Sequence, residues 1–320
     1  MDHGHGMDHG HGNMDELNLS NMELDNETLT DTIAEYIPED SSTIQVYLTV
    51  LFITSILSLI SNGIISLVIL NFKRLRVKTS NKIILHWTIV TAVYLIIEPS
   101  TIRLGLDWVE TGVPQTTFRI IEEVENALIL LTIFFVILLT KYWYYDYYNK
   151  ERLEKLEKNF NYILCYIYGV TGFFLVVFIE SCFSRRTAEG LSNVITVFMF
   201  MFFIIFMLII NIIHQLKKRI IYTSNNTQPK TSSSFILANV FFVSYVPILI
   251  GAIMVSIYET SDVVLFIFGL ISSCNSIYNL FILYNYDGDF NLFSKHILKC
   301  KADNYPEEFQ PELDDVRVRY

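Results

Sequence analysis

The sequence predicts an all-α membrane protein: seven transmembrane helices in a bundle, the amino end outside the cell, and a short amphipathic eighth helix after the last span. Three observations carry that expectation. Of 320 residues, 52% are hydrophobic and only 18% charged, a balance too apolar for a soluble domain. The apolar residues gather into blocks of about 20, the length a helix needs to cross roughly 30 Å of hydrocarbon. Lys and Arg collect in alternate connecting segments.

The blocks run over 44–70, 83–99, 127–139, 162–179, 194–213, 235–257 and 263–284. The third has the shortest apolar centre and needs 118–125 and 141–145 as extra turns to span. Cations flanking a span resist translocation and so mark the cytoplasmic side. Every Lys and Arg except Arg103, Arg119, Arg185 and Arg186 follows the first, third, fifth or seventh block. That places the amino end outside. The chain divides into an outer leader (1–43), the bundle (44–285), an amphipathic juxtamembrane helix (286–300) and an acidic cytoplasmic tail (301–320).

The leader has no apolar core, so the first span is expected to act as its own insertion signal. Two glycosylation acceptors, Asn18-Leu19-Ser20 and Asn26-Glu27-Thr28, agree with a lumenal leader. The four cysteines build no disulfide framework. Cys300 follows Phe290, Leu292, Phe293, Ile297 and Leu298, a stretch that fits the inner leaflet and would put a palmitate on its thiol. A free cytosolic thiol fits the same residue.

Polar residues inside the spans need partners, because an unpaired polar group in hydrocarbon costs several kcal/mol. Asn62 sits in the middle of the first span beside Gly63. Asn275, Ser276 and Asn279 lie in the last span, with Asn275 and Asn279 on one face. Together they predict a polar network between spans one and seven, either structural or part of a switch. Pro247 interrupts the sixth span, where it removes a backbone hydrogen bond and makes a hinge. Phe241, Ser244 and Tyr245 precede it.

In that order the residues resemble the rhodopsin-like G-protein-coupled receptors. Phe241, Ser244, Tyr245 and Pro247 are similar to the family's sixth-helix motif, Asn62 to its first-helix Asn, Pro99 to a second-helix Pro, and Trp108 to the Trp of the first outer loop. Thr140-Lys141-Tyr142 stands where the family has Asp-Arg-Tyr. Asn275, Ser276 and Asn279 resemble its seventh-helix elements. The resemblance runs from Asn62 to Cys300. It implies a plasma-membrane receptor that binds an extracellular ligand among the outer halves of its spans and signals to a heterotrimeric G protein. Asn62, Lys141, Tyr142, Phe241, Pro247, Asn275 and Asn279 would form the activation switch.

The departures are also specific. Thr91 takes the place of the second-helix Asp that holds sodium in the family, and Thr116 that of the third-helix Cys, which leaves Cys182 without its family partner. Lys141 replaces an Arg whose planar fork a compact ammonium does not reproduce. Leu280 and Leu283 replace Pro and Tyr, with Tyr284 one residue on. These changes keep an atypical or decoy receptor that does not couple in view as an alternative.

For the ligand, Glu123 lies about five turns outward of Lys141, near Glu98, Glu122 and Glu125 in level. Glu98, Glu123 and Tyr245 are the candidate ligand-binding residues, for a cationic amine or basic peptide. The other reading is that these glutamates cap helix ends at the water interface. No Lys lies between Lys230 and Lys295, so the retinal linkage of the opsins has no anchor.

The leader repeats Met-Asp-His-Gly-His-Gly, and its His3 and His5, with His9 and His11, suit copper or zinc. A solvated low-complexity tail is the plainer reading. The leader resembles the outer tail of copper importers, which makes a transporter or metal-handling membrane protein the rival class. The spans have neither the paired methionines of such importers nor charges along a pathway. An enzyme is not expected, since no acids, bases or ligands cluster at one depth. Membrane lipid is an expected partner and nucleic acid is not.

Overall fold

A computed structural model describes residues 41–111, 115–183, 191–225, 232–257 and 262–299. His3, His5, Asn18, Asn26 and Cys300 lie outside the described residues, as do the side chains of Pro99, Trp108, Thr116 and Cys182. By its internal contacts the chain forms two units, Met1–Thr49 and Val50–Tyr320. The first contributes only residues 41–49 to the description, helical throughout.

The described residues are helical almost without interruption and contain no strand. We number the helices α1 (Ser41–Asn71), α2 (Lys73–Val77), α3 (Thr79–Thr111), α4 (Gln115–Tyr148), α5 (Lys150–Lys158), α6 (Phe160–Phe183), α7 (Leu191–Asn225), α8 (Ser233–Ile257), α9 (Asp262–Ser273), α10 (Asn275–Tyr286) and α11 (Gly288–Lys299). Six stretches are long and apolar enough to cross a membrane: Gln45–Asn71, Thr79–Glu98, Arg119–Tyr148, Phe160–Glu180, Val194–Arg219 and Phe266–Tyr286. The protein is therefore a multi-pass, all-helical membrane protein. Helix is the form such segments must take, because it pairs every backbone N–H and C=O within the segment where no water can. The apolar stretch described within α8, Ser233–Ile248, is shorter than these six.

Helix α4 is the axis of the bundle. It packs against α3, α6, α7 and α8, and its stretch Arg119–Tyr148 is the most buried of the six. The expectation that this segment needs both flanks to reach spanning length holds, since the apolar helix takes in Arg119–Glu125 and Lys141–Tyr148. Around it the core is a column of rings. Phe241 of α8, fully buried, stacks on Tyr245 at 4.2 Å and meets Trp87 of α3 and Phe203 of α7 edge-on at 5.7 and 5.6 Å. Exposed Val243, Phe173, Phe198 and Phe281 line the outside, the arrangement that hydrocarbon solvent permits.

Two joints fix one end of the bundle. Asn149 caps α5 by accepting the Arg152 N–H at 3.0 Å, and Glu151 and Lys155 pair at 2.6 Å along it, with acid first and base last as the helix dipole favours. Helix α11 folds back on the α1–α3 connection: Phe72 stacks on Phe293 at 4.0 Å, while Arg74 and Lys78 meet Asp289 at 3.2 and 2.5 Å. The ends of α1, α4, α7 and α10, the starts of α3, α6 and α8, and α5 and α11 thus share what we call the basic end.

Candidate functional site

The functional candidates fall at three levels along α4. At the level farthest from the basic end, α3, α4 and α8 converge on a carboxylate. Glu98 is 9% exposed. One of its oxygens accepts the Tyr94 hydroxyl at 3.0 Å, and the other is buried with no hydrogen-bond partner among the described residues. Glu125 of α4 and Tyr245 of α8 are close enough to act on it electrostatically. Two of the predicted ligand residues, Glu98 and Tyr245, therefore do come together. The α4 carboxylate that acts on Glu98 is Glu125. Glu123, the residue chosen from its distance to Lys141, is half-buried and interacts with Glu122. Distance along a helix gives depth but not the direction a side chain faces, which is why the sequence could not choose between them.

At mid-level, α1 meets the last helices through small polar groups. Asn62, 1% exposed, donates from Nδ2 to Ser276 Oγ at 2.9 Å. One turn earlier, Ser58 donates to the Ser273 carbonyl oxygen. That carbonyl is available because the helix breaks there. Ile277 and Tyr278 both donate their N–H to Cys274, at 3.0 and 3.2 Å, while Ser272 and Ser273 turn their hydroxyls back onto Gly269. Such back-bonding bends a helix, and here it divides α9 from α10. The predicted polar link between the first and last spanning helices thus exists, and it runs through Ser276. Asn275 and Asn279 are buried beside it, with both amide atoms of Asn275 and Oδ1 of Asn279 unpaired among the described residues.

At the basic end, the predicted switch residues separate. Lys141 is exposed. Tyr142 packs against the edge of the core and donates to Glu157 Oε1 of α5 at 3.1 Å. Phe241 belongs to the buried ring column one level up, and Pro247 lies inside α8, which remains helical to Ile257.

The contacts that tie α4, α7 and α8 together at this end come from residues that sequence reasoning passed over. Trp143 stacks on Phe235 at 3.9 Å and meets His214 edge-on at 5.1 Å. The Tyr148 hydroxyl lies 3.0 Å from His214 Nδ1. Lys217 donates to the Tyr144 hydroxyl at 3.0 Å and sits 4.1 Å from the centre of the Tyr148 ring. His214, which has no visible partner in the sequence, is enclosed here, and His86 lies 2.9 Å from the Tyr168 hydroxyl through its own Nδ1. The available signal was the aromatic run over 142–148, which at helical spacing puts Tyr144 and Tyr148 on one face.

No group of His, Cys, Asp or Glu among the described residues is arranged to hold a metal. No protein-family model matches the chain, and no curated protein matches it.

Proposed function

We propose that this chain is a plasma-membrane receptor of the rhodopsin-like kind, with seven spans and its amino end outside. It binds a cationic extracellular ligand at the Glu98 cluster and signals to a heterotrimeric G protein at the basic end. The observation that carries this reading is the two-ended wiring of α4. One central helix touches a buried, half-paired carboxylate at one end and an aromatic and cationic knot joining α7 and α8 at the other, with Glu125 and Tyr144 about 28 Å apart along it. A receptor needs that arrangement, in which a ligand-sized charge at one end bears on the packing of helix ends at the other.

The span that brings the six to seven in this reading is α8, sixth in chain order, whose 25 residues extend about 37 Å as a helix, enough to cross the hydrocarbon with some tilt. A cation is the ligand because Glu98 has a buried oxygen without a donor among the described residues, and a charge-assisted hydrogen bond from an ammonium or guanidinium supplies one. The exposed Lys141 lies at the end where a G protein would dock.

The test is G-protein activation in cells expressing the chain, its Lys141→Arg version and its Glu98→Gln version, against a panel of primary amines and basic peptides. Surface display is checked by an epitope before Met1. Activation by a cationic member is expected, with half-maximal concentration raised about tenfold or more in Glu98→Gln, as befits loss of a hydrogen bond to a charged group. Silence of all three versions at the surface would move the reading to a receptor that does not couple.

A further inference from the structure

On its outer face the bundle carries a groove of about 810 Å³, well within the range of sites that take a drug-sized molecule. Helix α8 is its floor, through Phe235, Ile236, Asn239, Val240, Val243 and Ser244. Asn211 of α7 borders one side, and Ile271, Tyr278 and Phe281 of α9 and α10 the other. Val243 and Phe281 are each 66% exposed, so in a membrane this concavity opens to lipid.

Two amides facing hydrocarbon are unusual enough to need a reason. Asn211 uses both of its N–H groups, donating to the Met207 carbonyl at 2.9 Å and to Asn239 Oδ1 at 2.7 Å. Asn239 uses one, donating to the Phe235 carbonyl at 2.9 Å. By the capacity of an amide, the pair still offers the acceptor lone pairs of Asn211 Oδ1, a spare one on Asn239 Oδ1, and one donor, the second N–H of Asn239. A hydroxyl group complements that pair, because it donates one hydrogen bond and accepts another. A phospholipid headgroup does not: among the described residues no charged side chain lines the groove, so a phosphate brought there would be unpaired in a medium that penalises it heavily. Asn211 lies six residues, about 9 Å along the helix, from Lys217, the level just below the membrane surface where an amphiphile keeps its small polar end.

We propose that this groove is a binding site for a membrane sterol, with the sterol hydroxyl on the Asn211–Asn239 pair and the rigid ring system against the α8 floor between Asn211 and Tyr278. The site is independent of the receptor reading, since it requires only that the chain lie in a bilayer.

The test uses the full chain in phosphatidylcholine nanodiscs, with a photoreactive, alkyne-bearing cholesterol as probe. Labelled peptides are expected over 235–244 and 271–282. Unlabelled cholesterol should compete, whereas cholestane, which has the rings without the hydroxyl, should not. Val243→Trp, which fills the groove, should abolish labelling there, and Asn211→Leu should weaken it about tenfold through the lost hydrogen bond. Labelling spread evenly over the outward faces would overturn the proposal. So would cholestane competing as well as cholesterol, or a second copy of the chain cross-linking across Phe281 and excluding the probe. Should either variant fail to fold, the competition between the two steroids on the unaltered chain decides the matter alone.

Discussion

At the scale of single residues, this molecule is governed by where polar atoms find partners in a medium without water. Asn62 and Ser58 each reach across a helix interface to an acceptor on the last span. Asn275, one residue from Ser276, has neither amide atom paired within the described residues. The two asparagines should therefore respond oppositely to the same change. Asn62→Leu removes an interhelical hydrogen bond worth about 1 kcal/mol in a membrane protein and should lower the thermal unfolding midpoint in detergent. Asn275→Leu replaces the unpaired amide atoms with methyl groups on the same branched skeleton and should leave the midpoint unchanged or raise it. A fall of the same size for both would mean that Asn275 has a partner as strong as that of Asn62.

At the scale of elements, the knot at the basic end holds α4 to α7 and α8 through ring contacts and hydrogen bonds. Lys217 stands between Tyr144 and Tyr148, its ammonium satisfied by a hydroxyl and two ring faces, and a partly desolvated cation–π contact is worth about 1 kcal/mol. Lys217→Met keeps the stem that packs on the rings and removes only the charge. Hydrogen exchange of the backbone over 211–219 and 141–148 should then quicken about fivefold, the equivalent of that energy if exchange proceeds by local opening. The companion change Lys141→Met, on an exposed side chain, should leave exchange in those segments as it was. Equal effects would show that charge in general, rather than this contact, restrains the helix ends.

At the scale of the whole molecule, the decisive quantity is the parity of the spans. Seven spans put the two chain ends on opposite sides of the membrane, and six put them on the same side. An epitope placed before Met1 is expected to bind antibody on intact cells, and one after Tyr320 only after the membrane is opened. Glycans at Asn18 and Asn26 should be removable by endoglycosidase and absent from the Asn18→Gln, Asn26→Gln double variant. Access to both epitopes from one side would remove α8 from the set of spans and, with it, the receptor topology.

The helical membrane class was legible in the sequence because apolar runs of spanning length leave the backbone no other way to pair its polar groups. The approximate limits of the six spanning stretches were legible too, and so were the depths of Glu98, Asn62 and Asn275, since rise per residue is constant in a helix. Which way those residues face was not. Whether Glu123 or Glu125 acts on Glu98, and whether Asn62 bonds to Ser276 or to its neighbours, depends on the rotation of each helix about its axis. The joining of Trp143, Lys217 and Phe235 also depends on which helices become neighbours. Neither property is carried by one helix alone. They arise when α4 is packed among α3, α6, α7 and α8, where a turn of some 100° per residue decides which polar atom meets a partner and which meets lipid.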